Sequence, residues 1–217
     1  MRTRSLKPGP LVAVVVVVVL VLVVIGIVAG PSLYRAARGG DDSSVTTIST
    51  GRAEAPVGEL EGTWTVIPGS GSNRTTAGYT VDEILNGEPV TVVGSTGEVT
   101  GRIEIAGSTL TSGSYDVRVG DLATDNSARD NRARSPEILD ADGHPVATLD
   151  LTGEVDLAGL PSDGTTATIP MPVELTIKGT TVPATVDVDV LRTGEHLIAS
   201  ASIPVTWSEV GVQAPSL

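Results

Sequence analysis

The sequence predicts an all-β domain of antiparallel strands, preceded by one transmembrane helix. Three observations carry this prediction: an unbroken apolar run at Leu11–Gly30, apolar–polar alternation from Thr63 onward, and turn-forming Gly, Asn and Ser between the alternating stretches. About eight strands fit between these turns, which is typical of a closed antiparallel barrel or of a two-sheet sandwich. The residues alone leave both architectures open.

The apolar run is the clearest single feature of the chain. Leu11–Gly30 contains only Val, Leu, Ile, Ala and Gly, and a helix of this length spans about 30 Å, the thickness of the bilayer hydrocarbon. Arg2, Arg4 and Lys7 precede it, which favours a cytoplasmic tail at residues 1–10 and an extracytoplasmic C-terminal domain. A cleaved signal peptide has a shorter apolar core of roughly 7–15 residues. The run therefore predicts an uncleaved signal anchor in the cell membrane, with a cleaved secreted form as the alternative.

Composition separates the anchor from the domain and excludes several functions. Residues 31–57 are rich in Gly, Asp, Ser, Thr and Ala, which predicts a flexible linker before a domain at 58–217. The net charge of −12 argues against nucleic-acid binding. The chain has no Cys and only two His, and it contains no recognisable nucleophile, metal or phosphate-binding motif. We therefore expect no enzyme, no catalytic residue, no metal and no cofactor; no oligomeric state is predicted.

The alternating strands place Val, Leu and Ile side chains on one common face. Because the chain has no Phe, this face is aliphatic, and a closed barrel of such residues can enclose a ligand. A solid Val-rich core is the alternative. The predicted ligand-pocket residues are Ile103, Ile105, Val117, Val119, Leu149, Leu151, Val173, Leu175, Ile177, Val186, Val188 and Val190.

The alternation stops at residues 121–140, where Asp, Asn and Arg dominate and a helical or irregular segment is expected. In this stretch the chain resembles the YceI-like polyisoprenoid-binding family, and the similarity covers about residues 60–215. Residues 62–66 and 205–212 are similar to the first and last strands of that family. The residues that match the family pattern in order and spacing are Thr124, Asn126, Arg129-Asp130, Ile138-Leu139-Asp140 and Pro145. The aromatic pair before the Asp and the Tyr before the Pro are replaced here by Ile138-Leu139 and His144.

The resemblance implies a lipocalin-like antiparallel barrel with a long apolar tunnel that holds a polyisoprenoid or another long-chain lipid. It implies no catalytic residue. Loop-gating or head-group residues are then expected in the irregular segment; for Arg129 and Asp130 the alternative is a structural ion-pair network. These residues are Thr124, Asn126, Arg129, Asp130 and Pro145.

The leading functional hypothesis is a membrane-anchored extracytoplasmic protein that sequesters or carries such a lipid in its barrel. The alternative is a surface-exposed β-sandwich with a solid core that serves adhesion or protein interaction. Interior volume distinguishes them, because pockets for small molecules enclose about 300–1,000 Å³ whereas solid cores pack as densely as organic crystals.

Overall fold

The computed structural model describes residues 12–16, 47–85 and 88–212, and most of its regular structure is β-strand. A short 3₁₀ turn at Val119–Asp121 and helix α1 at Ser127–Arg134 follow β8. The predicted all-β class is confirmed, and the predicted irregular segment contains the helix. The strands are β1 (Val12–Val16), β2 (Gly62–Val66), β3 (Gly69–Ser70), β4 (Asn73–Arg74), β5 (Ala77–Leu85), β6 (Glu88–Thr96), β7 (Val99–Ala106), β8 (Thr109–Arg118), β9 (Val146–Leu151), β10 (Val155–Asp156), β11 (Ala167–Ile177), β12 (Thr180–Thr193) and β13 (His196–Ala201).

One large sheet curls back on itself. Its strand order is β10-β8-β7-β2-β1-β13-β12-β11-β9, and β9 also pairs with β8. The pairings are antiparallel except for those of β1, which runs parallel to both β2 and β13. A continuous curled sheet of this kind fits a barrel and not two separate facing sheets.

Strand β1 belongs to the run that the sequence predicts as a membrane helix. It pairs with Trp64 to Val66 of β2 on one side and with Ile198 and Ala199 of β13 on the other. The rest of the predicted helix, the cytoplasmic tail and linker residues 31–46 lie outside the described residues. Among the residues that are described, no helix has the length and apolar character needed to cross a bilayer.

Residues 47–57, predicted as the end of the linker, contact the outer face of the sheet at a few points. Ile48 is buried against Leu191 and Ile198. The Glu54 backbone N–H donates to Thr193 Oγ1 at 2.7 Å, and the Val57 N–H donates to the Gly194 carbonyl at 2.8 Å. The packed part of the chain therefore begins before the predicted boundary at residue 58.

Strand β11 shows how the sheet accommodates proline. Only its second half, Val173 to Thr176, pairs with β9, whereas its whole length pairs with β12. Pro170 and Pro172 lie in the first half, where β12 is the only strand partner among the described residues. Proline has no N–H to donate, so this edge is where a strand tolerates it.

Three described segments lie outside the main sheet. β3 and β4 form a short two-stranded sheet of their own. β5 and β6 form a separate hairpin, which is joined to the irregular segment by paired backbone bonds between Ser95 and Ala123. Residues 205–212, expected as a last strand, instead form a turn at 207–211. Glu209 accepts hydrogen bonds from the N–H and the hydroxyl of Thr206, both at 2.7 Å, and these local bonds replace a strand ladder.

Candidate lipid-binding interior and its cap

An apolar cavity of about 80 Å³ lies inside the curled sheet. Its walls come from β7, β8, β9, β11, β12 and β13 together with Leu157. Half of the predicted pocket residues line it, namely Ile103, Leu149, Leu151, Val173, Val188 and Val190. Alternation along these strands therefore places their side chains on the interior side.

A second apolar cavity of about 30 Å³ lies where the interior meets the irregular segment. Three further predicted residues, Val117, Val119 and Ile177, line it with Leu122 and Leu139. The remaining predicted residues are buried in the core but line neither cavity: Ile105, Leu175 and Val186. That any of the predicted residues contacts a ligand stays a prediction.

The sequence prediction missed several residues of the larger cavity. Tyr115 alternates with Val117 and could have been included on that signal alone. Met171 lies between Pro170 and Pro172, and prolines are disfavoured in central strands. Leu197 and Ser200 lie on β13, whose sequence does not alternate because β13 is buried on both faces. The cavity residues outside the prediction are Leu110, Gly113, Tyr115, Leu157, Met171, Leu197, Ala199, Ser200 and Ala201.

Tyr115 is the largest polar side chain of this cavity. It is paired with Gly101 of β7, and a Cβ atom added to Gly101 would lie 2.5 Å from Tyr115 Cδ1. The aromatic ring therefore occupies the space that the missing side chain of Gly101 leaves free. Burial raises the pKa of the Tyr115 hydroxyl well above its usual range, so it stays a neutral O–H group.

The segment of residues 119–145 contributes Val119, Leu122 and Leu139 to the lining of the second cavity, and we call it the cap segment. Leu122, Ile138 and Leu139 are buried and belong to the same apolar cluster as the walls. Helix α1 lies between them in sequence and contains no apolar residue larger than Ala. The cap segment thus inserts its apolar ends into the core and leaves a polar helix outside.

Side-chain hydrogen bonds fix the conformation of the cap segment. Asn126 is the N-cap residue of α1, and its Oδ1 accepts from the N–H of Ala128 at 2.9 Å. Asp130 Oδ1 accepts from the Thr124 N–H at 2.8 Å and from the Thr124 hydroxyl at 2.7 Å. These two bonds, assisted by the nearby arginines, hold the pKa of Asp130 below its usual range.

The other predicted gate residues also bond within or beside the cap segment. Arg129 Nη1 pairs with Asp125 Oδ1 at 2.7 Å, and the Pro145 carbonyl accepts from the Val119 N–H at 3.0 Å. Arg134, which the sequence did not single out, donates from Nη2 to the Leu122 carbonyl at 2.8 Å. The structure brings the predicted gate residues together, but places none of them on the lining of either cavity.

A wider groove of about 1090 Å³ lies outside the sheet. It runs between residues 49–54 and the β3–β4 turn, and Arg52, Glu54, Asn73 and His196 border it. Its lining mixes these polar groups with Ile67, Leu191 and Ile198, and the groove is open to solvent, whereas a pocket for a hydrocarbon chain is enclosed and mostly apolar. Among the described residues, no group of three or more His, Cys, Asp or Glu is placed to hold a metal ion.

Comparison with known proteins agrees with this architecture. Residues 64–216 match the family described as YceI-like domain. The chain belongs to the YceI-like family. Among solved structures, Burkholderia cenocepacia BcnA resembles this YceI-like chain with a TM-score of 0.51 and 19% identity, over 63% of this chain and 80% of BcnA. That likeness supports the fold.

Two further solved structures resemble the YceI-like chain over shorter stretches. A polyisoprenoid binding domain from Saccharophagus degradans, implicated in plant cell wall breakdown, has a TM-score of 0.40 and 18% identity, over 52% of this chain and 62% of that domain. The Campylobacter jejuni YCEI protein has a TM-score of 0.34 and 17% identity, over 42% of this chain and 51% of its own. A search of curated proteins by sequence finds no match.

Proposed function

We propose that this YceI-like protein binds a polyisoprenoid-type lipid in the interior of its curled sheet and is anchored by Leu11–Gly30, with the domain outside the cell membrane. In the anchored form Val12–Val16 belongs to the membrane helix and not to strand β1 of the sheet. The observation that carries the proposal is the lining of the interior: apart from Tyr115 and Ser200, it consists of Val, Leu, Ile, Met, Ala and Gly. Each CH₂ group moved from water into such surroundings contributes about 0.8 kcal/mol. A prenyl chain therefore needs apolar walls and few polar contacts.

The interior must expand to hold a long chain. Its cavities of about 80 and 30 Å³ are smaller than the roughly 300–1,000 Å³ of ordinary ligand pockets. In this proposal the cap segment moves to make room for the chain. Leu122 and Leu139 line the second cavity, and helix α1 between them is held mainly by side-chain hydrogen bonds rather than by buried apolar side chains. Outward movement of these two side chains joins the second cavity to outside space.

The same small cavities favour a second candidate function. An interior that stays packed is typical of a solid-core domain that serves adhesion or protein interaction. The two functions differ in one measurable property, which is uptake of lipid into the interior.

Photo-crosslinking in the full-length protein tests this difference. The protein is purified in detergent and exposed to an isoprenoid that carries a diazirine, and the labelled peptides are mapped by mass spectrometry. We expect label at inward positions such as Met171 and Leu197, together with isoprenoids in an organic extract of the protein. Label confined to Leu11–Gly30 and to outward positions would favour the solid-core module.

A pair of matched variants separates interior binding from surface adsorption. Ala199→Leu adds three carbon atoms to the cavity lining, whereas Ser114→Leu places a large apolar group on the exposed face of β8. We expect Ala199→Leu to reduce labelling of the interior and Ser114→Leu to leave it unchanged. Equal loss in both variants contradicts binding inside the sheet.

The proposed topology can be tested separately because the chain contains no Cys. Ser5→Cys and Ser162→Cys are compared in intact cells with a membrane-impermeant maleimide. We expect Ser162→Cys, in an exposed turn, to react and Ser5→Cys to react only after lysis. A mature N-terminus after Ala29 would instead support the cleaved secreted form.

A further inference from the structure

Strand β1 differs from the other strands of the main sheet in its pairing. It lies between β2 and β13 and runs parallel to both, whereas the other pairings of that sheet are antiparallel. Among the described residues, neither β2 nor β13 has another strand partner on this side. Since neighbouring strands lie about 4.8 Å apart, removal of β1 leaves a space roughly 10 Å wide between two unpaired strand edges. We call this space the strand slot.

The strand slot has apolar surroundings on both faces of the sheet. On the inner face, Trp64 of β2 is buried in the main core cluster and Ala199 of β13 lines the larger cavity. On the outer face, Ile198 of β13 is buried with Ile48 and Leu191. A strand that is paired in parallel and covered on both faces is typically an unbroken apolar run and not an alternating one.

The apolar run near the N-terminus has this character. Leu11–Gly30 contains no polar side chain and more than half of its residues are Val, which favours strands because its branched side chain is restricted in a helix. Val12–Val16 of this run forms β1, with Val12 opposite Trp64 and Val16 opposite Ala199. The composition of the run therefore suits the strand slot as well as a bilayer.

We propose that the strand slot is a binding site for Val12–Val16 of the same chain, and that this pairing competes with insertion of the run into the membrane. The two states exclude each other, because one residue cannot belong to a sheet strand and to a membrane helix at once. The inference rests on the proposed anchoring for its membrane state and goes beyond it by assigning a second site to the same segment. Residues 17–46 tether β1 to the domain, and a tethered partner has an effective concentration of about a millimolar.

Competition for Val12–Val16 determines whether the sheet is continuous. When the segment is in the sheet, it joins β2 to β13. When the segment is in the membrane, the strand slot is open beside Ala199, and the larger cavity gains a lateral entrance between β2 and β13. Insertion into the membrane is thereby coupled to access to the interior, and the anchored form is the one that takes up lipid.

Cysteine pairs can detect β1 directly, since the chain has no Cys of its own. Val14→Cys is combined with Val66→Cys, its partner in register. In a second protein Val16→Cys is combined with Ala199→Cys, which are also in register and, as residues of neighbouring strands, within disulfide distance. Val14→Cys with Ser162→Cys, in an exposed turn, is the mismatched control. Each full-length protein is synthesised in vitro with phosphatidylcholine vesicles and oxidised, and the disulfide-linked peptides are quantified by mass spectrometry.

A change elsewhere in the run separates the two states. Leu22→Arg combined with Val24→Arg, which we call the double-Arg variant, leaves β1 intact and opposes insertion because charges in a membrane helix are costly. We expect the matched pairs to cross-link within one chain in the double-Arg variant. In chains with the unchanged run that resist alkaline extraction from the vesicles, most of this cross-linking should be lost.

Three results of the cross-linking experiment overturn the proposal. The first is a double-Arg variant whose matched pairs cross-link no more than the mismatched control. The second is a matched cross-link that persists in the inserted chains. The third is a matched cross-link between two chains, which assigns the strand slot to a second copy instead.

Proline provides a test that needs no cross-link. In the double-Arg variant, Val14→Pro removes a backbone donor from a strand that is paired on both sides, whereas Val28→Pro changes the run outside β1. We expect Val14→Pro to lower the melting temperature of the domain and Val28→Pro to leave it unchanged. Equal melting temperatures contradict a role of Val12–Val16 in the sheet.

Lipid labelling distinguishes failure of this inference from failure of the proposed function. Label from the diazirine-bearing isoprenoid at Leu197, measured relative to the exposed Ser114, should be stronger in inserted chains than in the double-Arg variant. Equal interior labelling in both contradicts the lateral entrance. Absence of interior label in both contradicts the proposed lipid binding, while the cross-links still report on the strand slot. A chain with the unchanged run that does not enter the vesicles contradicts the proposed anchor together with the competition.

Discussion

The walls of the sheet and the cap segment are stabilised by different kinds of interaction. In the walls, alternate residues such as Leu175, which is 0% exposed, are packed among other aliphatic side chains. In the cap segment, helix α1 buries Asp130 and no large apolar residue, and Asn126, Thr124 and Asp130 hold it through directed hydrogen bonds. The walls therefore depend on buried area, whereas helix α1 within the cap segment depends on a few bonds with defined geometry.

This difference separates global from local stability. Loss of buried area in the walls affects the whole sheet, because each wall strand contributes to one shared core. Loss of one hydrogen bond in the cap segment affects a short helix, which we expect to open locally without unfolding the sheet. The proposed lipid uptake requires the interior to expand, and the part held by fewer buried contacts lies beside the second cavity.

The largest effect is expected in the wall at Leu175. Leu175→Ala should lower the free energy of unfolding by about 2–5 kcal/mol, because it removes a fully buried side chain. Denaturant unfolding followed by the fluorescence of buried Trp64 measures the loss. Thr176→Ala, whose hydroxyl lies on the other face and contacts Thr181, should cost much less. If Leu175→Ala destabilises only the cap segment, the assignment of global stability to the walls is wrong.

A smaller loss of unfolding free energy is expected when a glycine is replaced by Ala. One glycine in a wall strand is compared with one in the cap segment. Gly101→Ala brings a Cβ within 2.5 Å of Tyr115 and 2.8 Å of the Ser114 carbonyl oxygen, so it should cost about 1–3 kcal/mol as overpacked core substitutions do. Gly120→Ala, in the cap segment, meets no atom within 4 Å and should be nearly neutral. Equal losses of unfolding free energy in the two variants would show that the chain is packed equally closely around Gly101 and Gly120.

The N-cap of α1 tests the local character of the cap segment. Asn126→Ala should cost about 1 kcal/mol, since the helix loses the side chain that accepts from its first turn. Amide hydrogen exchange should accelerate at Ala128 and Arg129 and stay unchanged at Trp64. Asn131→Ala is the matched control, because Asn131 is exposed within the same helix. Faster exchange throughout the sheet would mean that the cap segment does not open independently.

The smallest change in the free energy of unfolding is expected from variants that alter the ionisation of Asp130, because their effect depends on pH. Because its pKa is lowered in the folded protein by Thr124, its stabilising effect is present above the unfolded pKa and is lost as the pH falls through the folded one. Thr124→Val should raise the pKa of Asp130 in a carboxyl NMR titration. Asp130→Asn should weaken the acid dependence of cap opening, and an unchanged acid profile would contradict this assignment.

Local patterning predicted the walls better than their surroundings. The alternation in Val173 to Ile177 correctly indicated both a strand and its inward face, because side-chain direction in a strand has a period of two. Burial of Ile48 against Leu191 has no local signal, since the two residues are far apart in sequence. The same holds for Leu197 and Ser200, which lie on a strand that is covered on both sides.

The cap segment was predicted as irregular, and the sequence contained more information than that. Asn126 before a run of helix-compatible residues is a helix start signal, but the absence of an apolar stripe in α1 gives no periodicity to detect. The Thr124–Asp130 bonds form only once the chain has turned. Hydrogen-bond partners in such a segment follow from its folded conformation, not from spacing alone.

The prolines of β11 have a consequence for contacts between molecules. The Pro172 carbonyl accepts from the Thr152 N–H at 2.9 Å on the side of β9, and a strand residue directs its N–H and C=O to the same side. Pro170 and Pro172 therefore offer no N–H donor along the half of β11 that β9 leaves unpaired among the described residues. A strand from a second molecule cannot complete a ladder there, which protects the domain from edge-to-edge aggregation. Replacing both prolines with Ala should increase concentration-dependent association in sedimentation, and an unchanged sedimentation profile would show that this edge is protected by other means.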